Sequence, residues 1–391
     1  MRKVIAVNAG STSIKMAIFD DFALKDGQEK PLAEVRWEKD IKKLTIKFGK
    51  YKNVETVPFE RHTEAFDYAI KCMQMAGSFR SKDEVMYVVN RAVNGGPNLL
   101  SIAPILITEE VQEEFKRNID HAPNHNKPAL EVSTAAMQAF PNAKHYYMFD
   151  TGWHVTMPLK NKAYALPKEC YQDLGIRVYG AHGIVYMDNT RRAAKILNIP
   201  VEQVNLILLH FGGGCSLNAV VNGKSIDTTM GHTPTDGMLM ASRVGHLDVG
   251  AFPDLMKKYG TIENTMEVLT KKSGFKGLTG ETDMRNVITL AENGDEWAIM
   301  AIQKFVTEAR KNIGAYMAEM DYNVDAIVCS GGILENDRSI TREIFSGFEK
   351  AGVILSNNPM GLTAESSPIQ VMVLEANEEL AMTKAVLDLQ E

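Results

Sequence analysis

Val4-Ile5-Ala6-Val7-Asn8-Ala9-Gly10-Ser11-Thr12-Ser13-Ile14-Lys15 reads as a buried strand, a small polar loop and the start of a second strand. Far downstream, Leu206-Ile207-Leu208-Leu209-His210-Phe211-Gly212-Gly213-Gly214-Cys215-Ser216-Leu217 repeats the pattern. Gly and Ser let such loops lay backbone N–H groups and hydroxyls against a phosphate. One loop per half predicts a duplicated nucleotide-binding architecture with a cleft between the halves. Neither loop is a Walker A motif, because Gly-x-x-x-x-Gly-Lys-[Ser/Thr] does not occur in the chain.

The length of 391 residues favours two domains. The formal net charge of −6 argues against nucleic acid as a main partner. Four scattered cysteines without a C-x-x-C pair fit a reducing compartment. Asn8 and Gly10 interrupt the first apolar run, which argues against a signal peptide, and no apolar run reaches bilayer length. The expectation is a cytoplasmic protein without a membrane partner.

Period-2 alternation predicts strands over 14–18, and 32–60 is strand-like. Val85–Val89 reads as a buried strand ending in a turn at 90–97, which places Arg91 in that turn. Tyr146–Phe149 reads as a strand with Asp150 at its end, and the first domain boundary is set there. Asn222-Gly223 marks a hairpin. Helices are expected over 66–76, from Thr108 as N-cap, over 297–320 and over 378–389, the last crossing back to the first domain. Pro123 argues against a helix presenting His121 and His125 together, so no zinc site is expected.

Arg91 and Arg243 suit planar oxyanions, since the guanidinium fork donates two parallel hydrogen bonds. His182, between Ala181 and Gly183, is read as having little packing around it and as available to a transferring group. Glu378 and Glu379 open the last helix, where acids also favour the helix dipole. Mg²⁺ shared between phosphates and one or two carboxylates is the natural metal.

Together these segments resemble the acetate kinase family, part of the sugar kinase, Hsp70 and actin superfamily. The resemblance runs along nearly the whole chain: Asn8 to Lys15; Asp150-Thr151 with His154, Thr156, Met157 and Pro158; Tyr164 to Pro167; Asp227 to Pro234; Asp283-Met284-Arg285; Gly332-Ile333 with Glu335-Asn336; and Asn377 to Leu380. It implies an α/β fold of two ribonuclease-H-like (actin-like ATPase) domains with an interdomain cleft. The boundaries are 1–151 plus 380–391 for the first domain and 152–379 for the nucleotide-binding domain. It also implies a homodimer and the reaction ATP + acetate ⇌ ADP + acetyl phosphate, with Mg²⁺ or Mn²⁺.

Carried over by motif, Arg91 and Arg243 clamp the carboxylate and the moving phosphoryl group, His182 bonds the transition state, and Asp150 orients the substrate side. Glu378, helped by Asn8, holds the metal. Lys15, His210, Gly212, Gly213, Gly214, Asp283, Met284, Arg285, Gly332, Ile333 and Asn336 form the ATP site. Val93, Asn124, Ala181 and Pro234 line the acyl pocket.

The departures define the alternatives. Gly213 replaces an Asn that contacts phosphate, and Leu334 replaces a Gly, which motivates a different phosphoryl donor. A left-handed backbone at Leu334 would cost about 1–2 kcal/mol. Asn124 replaces a Leu and Ala181 a Phe, which motivates a larger or more polar acid such as propionate, butyrate or a hydroxy acid. A non-catalytic nucleotide switch is the remaining reading, disfavoured because a switch has no use for a carboxylate clamp.

Overall fold

The computed structural model describes residues 2–357 and 362–390. The described residues fall into two compact units. The first comprises residues 1–155, 183–185 and 377–391; the second comprises 156–182 and 186–376. Among the described residues no helix is long and apolar enough to cross a membrane.

The first unit is built on an eight-stranded sheet. Its strands are β1 (Lys3–Ala9), β2 (Ser13–Asp20), β3 (Ala33–Glu38), β4 (Lys43–Phe48), β5 (Tyr51–Thr56), β6 (Val85–Ala92), β7 (Ile105–Leu106) and β8 (Lys144–Phe149), in the order β5-β4-β3-β2-β1-β6-β8-β7. β1 is buried along its whole length, as expected for a central strand covered on both faces. It pairs antiparallel with β2 and parallel with β6, which pairs parallel with β8. Side-chain alternation sends Ile5, Val7 and Ala9 into one core together with Phe66 and Val132, from the helices His62–Met75 and Pro123–Ala139. Asn8 therefore belongs to the other face. There the helix Glu378–Asp388 packs on β1, β2 and β6, with Leu380 against Ala17 and Phe19.

The second unit carries β9 (Leu206–Phe211), β10 (Cys215–Val221), β11 (Lys224–Thr228), β12 (Ala326–Ser330) and β13 (Gln370–Val373), in the order β11-β10-β9-β12-β13. The hairpin from β9 to β10 parallels that from β1 to β2, so the repeated strand–loop–strand pattern is real. The Asn222-Gly223 turn has φ values of 51° and 66°, as a two-residue hairpin demands. The 24-residue helix Glu296–Glu319 buries Phe305, Ala309 and Ile313 against this sheet's core.

Two sequence expectations, at Arg91 and Leu334, are corrected. β6 runs on through Asn90 and Arg91 to Ala92, so Arg91 is a strand residue rather than a turn residue. Pro123 starts a helix, at a first-turn position whose N–H has no intrahelical acceptor anyway, so no single helix carries both His121 and His125, as expected. His121 lies in the short turn before that helix and His125 inside it. Leu334 sits in the helical turn Gly332–Asn336, 1% exposed and part of the apolar core, so it strains no left-handed backbone. The left-handed residue there is Gly331, at φ 87°.

Candidate active site

In the first unit, Asn8, Arg91 and Asp150 lie at the carboxyl ends of three adjacent parallel strands. This is where ligand crevices form in open α/β sheets. Arg91 Nη2 donates to Asp150 Oδ2 at 2.6 Å and Arg91 Nε to Oδ1 at 3.2 Å, a two-point pair. Arg91 Nη1 donates to Asn8 Oδ1 at 3.0 Å. The Asn8 amide nitrogen in turn donates to Glu378 Oε2 at 2.5 Å and to Glu379 Oε1 at 3.4 Å. Glu378 Oε1 is 3.6 Å from Arg91 Nη2. The Arg91 side chain is 15% exposed and that of Asp150 only 1%.

Burial pushes the Asp150 carboxyl up to about 6, against the pull of the Arg91 guanidinium. Burial and the neighbouring Glu378 also raise Glu379. Burial works against the Arg91 charge, but Asp150, Glu378 and Glu379 outweigh it and hold the guanidinium protonated. Three carboxyls thus surround one arginine. That excess of hard oxygen donors fits a divalent cation shared with phosphates. The Asn8 oxygen already accepts from Arg91, so Asn8 is placed to orient Glu378. Among the described residues no group of three His, Cys, Asp or Glu side chains forms a ready-made metal cage.

Asn126, which the sequence reading did not single out, is fully buried. Its Oδ1 accepts from Val93 N and Asn94 N at 3.3 Å each, and its Nδ2 donates to Asn94 O at 2.8 Å. It pins the chain directly after Arg91 and holds the backbone of Val93. Asn124 is exposed two residues earlier. Lys15 projects from β2 into a groove of about 370 Å³ that Glu379 also lines.

In the second unit, the cross-strand register sets Ser216, His210 and Ser330 side by side on β10, β9 and β12. His210 Nδ1 lies 3.1 Å from Ser330 Oγ. His182 sits over this polar row, its ring 4.6 Å from that of His210 and its Nδ1 2.8 Å from Ser216 Oγ. It is therefore held firmly, not loosely packed as expected. Its backbone is left-handed, at φ 59° and ψ 18°, at the N-terminal boundary of the helix Gly183–Leu197. A non-glycine residue in that region is uncommon, and such strain concentrates at working sites.

The Gly212–Gly214 loop joins β9 to β10. A Cβ added to Gly214 would meet Arg243 Nη1 and His182 Nε2, each at 3.3 Å, so a guanidinium and an imidazole converge on one glycine. Arg243 Nη1 also donates to Pro234 O at 3.0 Å. A Cβ on Gly213 would meet nothing within 4 Å. Ala181 is 2% exposed and packs in the apolar core, while Pro234 is half-buried.

Asp283 caps the helix Met284–Glu292 and accepts from Arg285 Nε at 2.9 Å and Nη2 at 2.5 Å, which fixes the exposed Arg285 side chain. Met284 is buried. Asn336 Nδ2 donates to Gly332 O at 2.8 Å across the short helix that carries Ile333. The structure thus gathers Asn8, Arg91, Asp150 and Glu378 in one unit, and His182, His210, Gly214 and Arg243 in the other. Sequence reasoning missed Asn126, Ser216 and Tyr186 as supports. The one signal available was the position of Ser216 just after the glycine loop.

The family model for the acetokinase family matches residues 3–384. The acetate kinase of Bacillus cereus is 38% identical over 400 aligned residues, covering 100% of this chain and 99% of the relative. The crystal structure of a propionate kinase from Francisella tularensis is 31% identical with a TM-score of 0.89, covering 98% of this chain and 99% of that one. That of Porphyromonas gingivalis acetate kinase is 28% identical with a TM-score of 0.88, and each chain is covered completely. A whole-chain match to the family model, with an architecture shared by these kinases, establishes that the chain belongs to the acetokinase family.

Proposed function

We propose that this chain is a short-chain carboxylate kinase that catalyses ATP + acetate ⇌ ADP + acetyl phosphate by direct in-line transfer. The observation that carries the reading is the convergence of His182 Nε2 and Arg243 Nη1 on Gly214, in a loop built to approach phosphate. In this reaction a carboxylate oxygen attacks the γ-phosphorus. The new O–P bond forms as the bond to the β-phosphate oxygen breaks, and the electron pair leaves with ADP. Such transfer is mostly positioning and neutralisation of charge on the equatorial oxygens.

Arg243 and His182 donate to those oxygens. Arg91, held rigid by Asp150 and Asn8, supplies a second fixed cation for the carboxylate and the phosphoryl group. The backbone N–H groups of Gly212–Gly214 receive the donor's phosphates, with Lys15 and His210. Asp283, Met284, Arg285, Gly332, Ile333 and Asn336 hold the adenosine side. Glu378, its carboxylate fixed by Asn8, would hold Mg²⁺ or Mn²⁺, which would supply neutralisation of the phosphate charge. The same reading carries a homodimer and a cytoplasmic location.

A preference extending beyond acetate is favoured by Ala181, where the family carries a Phe, and by the likeness to a propionate kinase. One methylene is worth only about 1–3 kcal/mol of discrimination, so acetate still reacts. Trapping the acyl phosphate with hydroxylamine, with acetate, propionate, butyrate and hydroxy acids as acceptors, tests both points. Acyl phosphate formation lost on Arg243→Ala is expected. No product from any of these acids, or unchanged turnover in Arg243→Ala, overturns the assignment. A sharp preference for acetate removes the wider specificity.

A further inference from the structure

We infer that Tyr186 and Ser216 form a positioning relay that holds His182 in the tautomer with its proton on Nε2, the nitrogen facing the Gly214 loop. The inference rests on the reading of His182 as a donor to the transferring phosphoryl group. Tyr186 lies one turn beyond His182 on the helix Gly183–Leu197 and is fully buried. Its hydroxyl is 2.5 Å from Ser216 Oγ, which is 2.8 Å from His182 Nδ1. Three groups from two elements thus form one continuous line.

The direction of the line follows from proton accounting. Burial pushes the Tyr186 phenol far above its ordinary range, so it keeps its proton. In the relay the phenol proton goes to Ser216 Oγ, the oxygen 2.5 Å away. A serine hydroxyl has one proton and two lone pairs, so the relay requires Ser216 to turn that proton to His182 Nδ1, 2.8 Å away. Nδ1 then accepts, and the imidazole proton sits on Nε2, where His182 nears the loop that also receives Arg243. The left-handed backbone of His182 fixes the base of the side chain, and the relay fixes its ring and tautomer. Neither Tyr186 nor Ser216 touches the reacting atoms in this scheme; both act through His182.

The test uses the full-length enzyme in four variants, Tyr186→Phe, Ser216→Ala, the double variant and His182→Ala, together with ¹⁵N-histidine NMR of the wild type. The NMR signature of His182 is expected to show Nε2 protonated and Nδ1 unprotonated. Ser216→Ala is expected to lower kcat about tenfold with KM for ATP and acid unchanged within about twofold, because a positioned hydrogen bond in the transition state is lost. Tyr186→Phe, nearly isosteric, is expected to cost less. The double variant is expected to be no worse than Ser216→Ala, since one line can be broken only once.

A wild-type His182 protonated on Nδ1, or on both nitrogens, overturns the relay irrespective of activity. So do additive losses in the double variant. Full turnover in His182→Ala instead overturns the role given to His182 itself. A crippled His182→Ala beside unaffected Ser216→Ala and Tyr186→Phe overturns the relay alone.

Discussion

Arg91 and Asp150 are joined at two points, Nη2 to Oδ2 at 2.6 Å and Nε to Oδ1 at 3.2 Å, at the ends of neighbouring parallel strands. Asp150 has 1% of its side chain exposed, so its charge depends on that guanidinium. The pair fixes where Arg91 points and leaves its Nη1 on Asn8. A residue whose role is to steady a cation is thus also the one whose burial makes the cation necessary.

Breaking this pair separates stability from function. Arg91→Ala leaves the buried Asp150 carboxylate without its cation and is expected to cost about 3–5 kcal/mol of stability, whereas Asp150→Ala is expected to cost less because Glu378 stays 3.6 Å from Arg91. The joint replacement Arg91→Met with Asp150→Leu is expected to recover most of that, because an apolar pair of similar volume avoids desolvating charge. Turnover is expected to remain at least ~10³-fold down in every variant lacking Arg91, about 4 kcal/mol of transition-state stabilisation. Denaturant melts beside steady-state rates check this. If the apolar pair turned over normally, Arg91 would be a structural residue only.

Asp227 provides a pH test away from the reacting groups. It is the penultimate residue of β11 and lies near Glu319, the last residue of the helix Glu296–Glu319. Lys160 is 3.8 Å from Glu319, Asn161 Nδ2 donates to the same carboxylate at 2.6 Å, and Tyr316 lies close by with its phenol held protonated. Burial, then the Glu319 charge, pushes Asp227 from 3.8 to about 7. The folded chain therefore keeps a proton that the unfolded chain releases near pH 4. That contribution is present in full below the unfolded value and is lost as pH rises through about 7. Asp227→Asn should flatten this slope and be more stable than wild type at pH 8 by up to about 4 kcal/mol. Melting curves of the two proteins from pH 5 to pH 8 decide it, and parallel curves would sink the shift.

Much of this site was legible because apolar runs are loud. The strands ending at Ala9 and Phe211, and the small polar loops after them, follow from periodicity alone. Arg91 was placed in the right region but the wrong element. Polar residues at the end of a central parallel strand look like a turn, although Asn90 and Arg91 pair with Tyr147 and Met148 of β8. Pro123 was informative because proline suits a first turn, so the helix begins there and leaves His121 outside it. Leu334 looked like a departure in a nucleotide loop; the helical turn directs it into the core instead. Contacts such as Tyr186 with Ser216 and Asn126 with Asn94 were illegible. They join ordinary residue types about 30 positions apart, and only the tertiary register brings them together.

Gly213 invites the opposite experiment, a gain. The family resemblance puts an Asn here that contacts phosphate, and this chain has none. The Gly213 backbone is not left-handed, a Cβ would meet nothing within 4 Å, and its carbonyl still accepts from Ala241 N at 3.3 Å. Gly213→Asn should therefore fold normally, with stability equal to or up to about 1 kcal/mol above wild type, because a glycine's unfolded-state entropy is removed. The new amide adds one donor beside the loop N–H groups. A single added hydrogen bond of about 1 kcal/mol lowers KM for ATP roughly fivefold, with KM for the acid unchanged. Initial rates at saturating acid, varying ATP, read this directly. An unchanged KM for ATP in a normally melting variant would mean that the β9–β10 loop does not face the donor's phosphates.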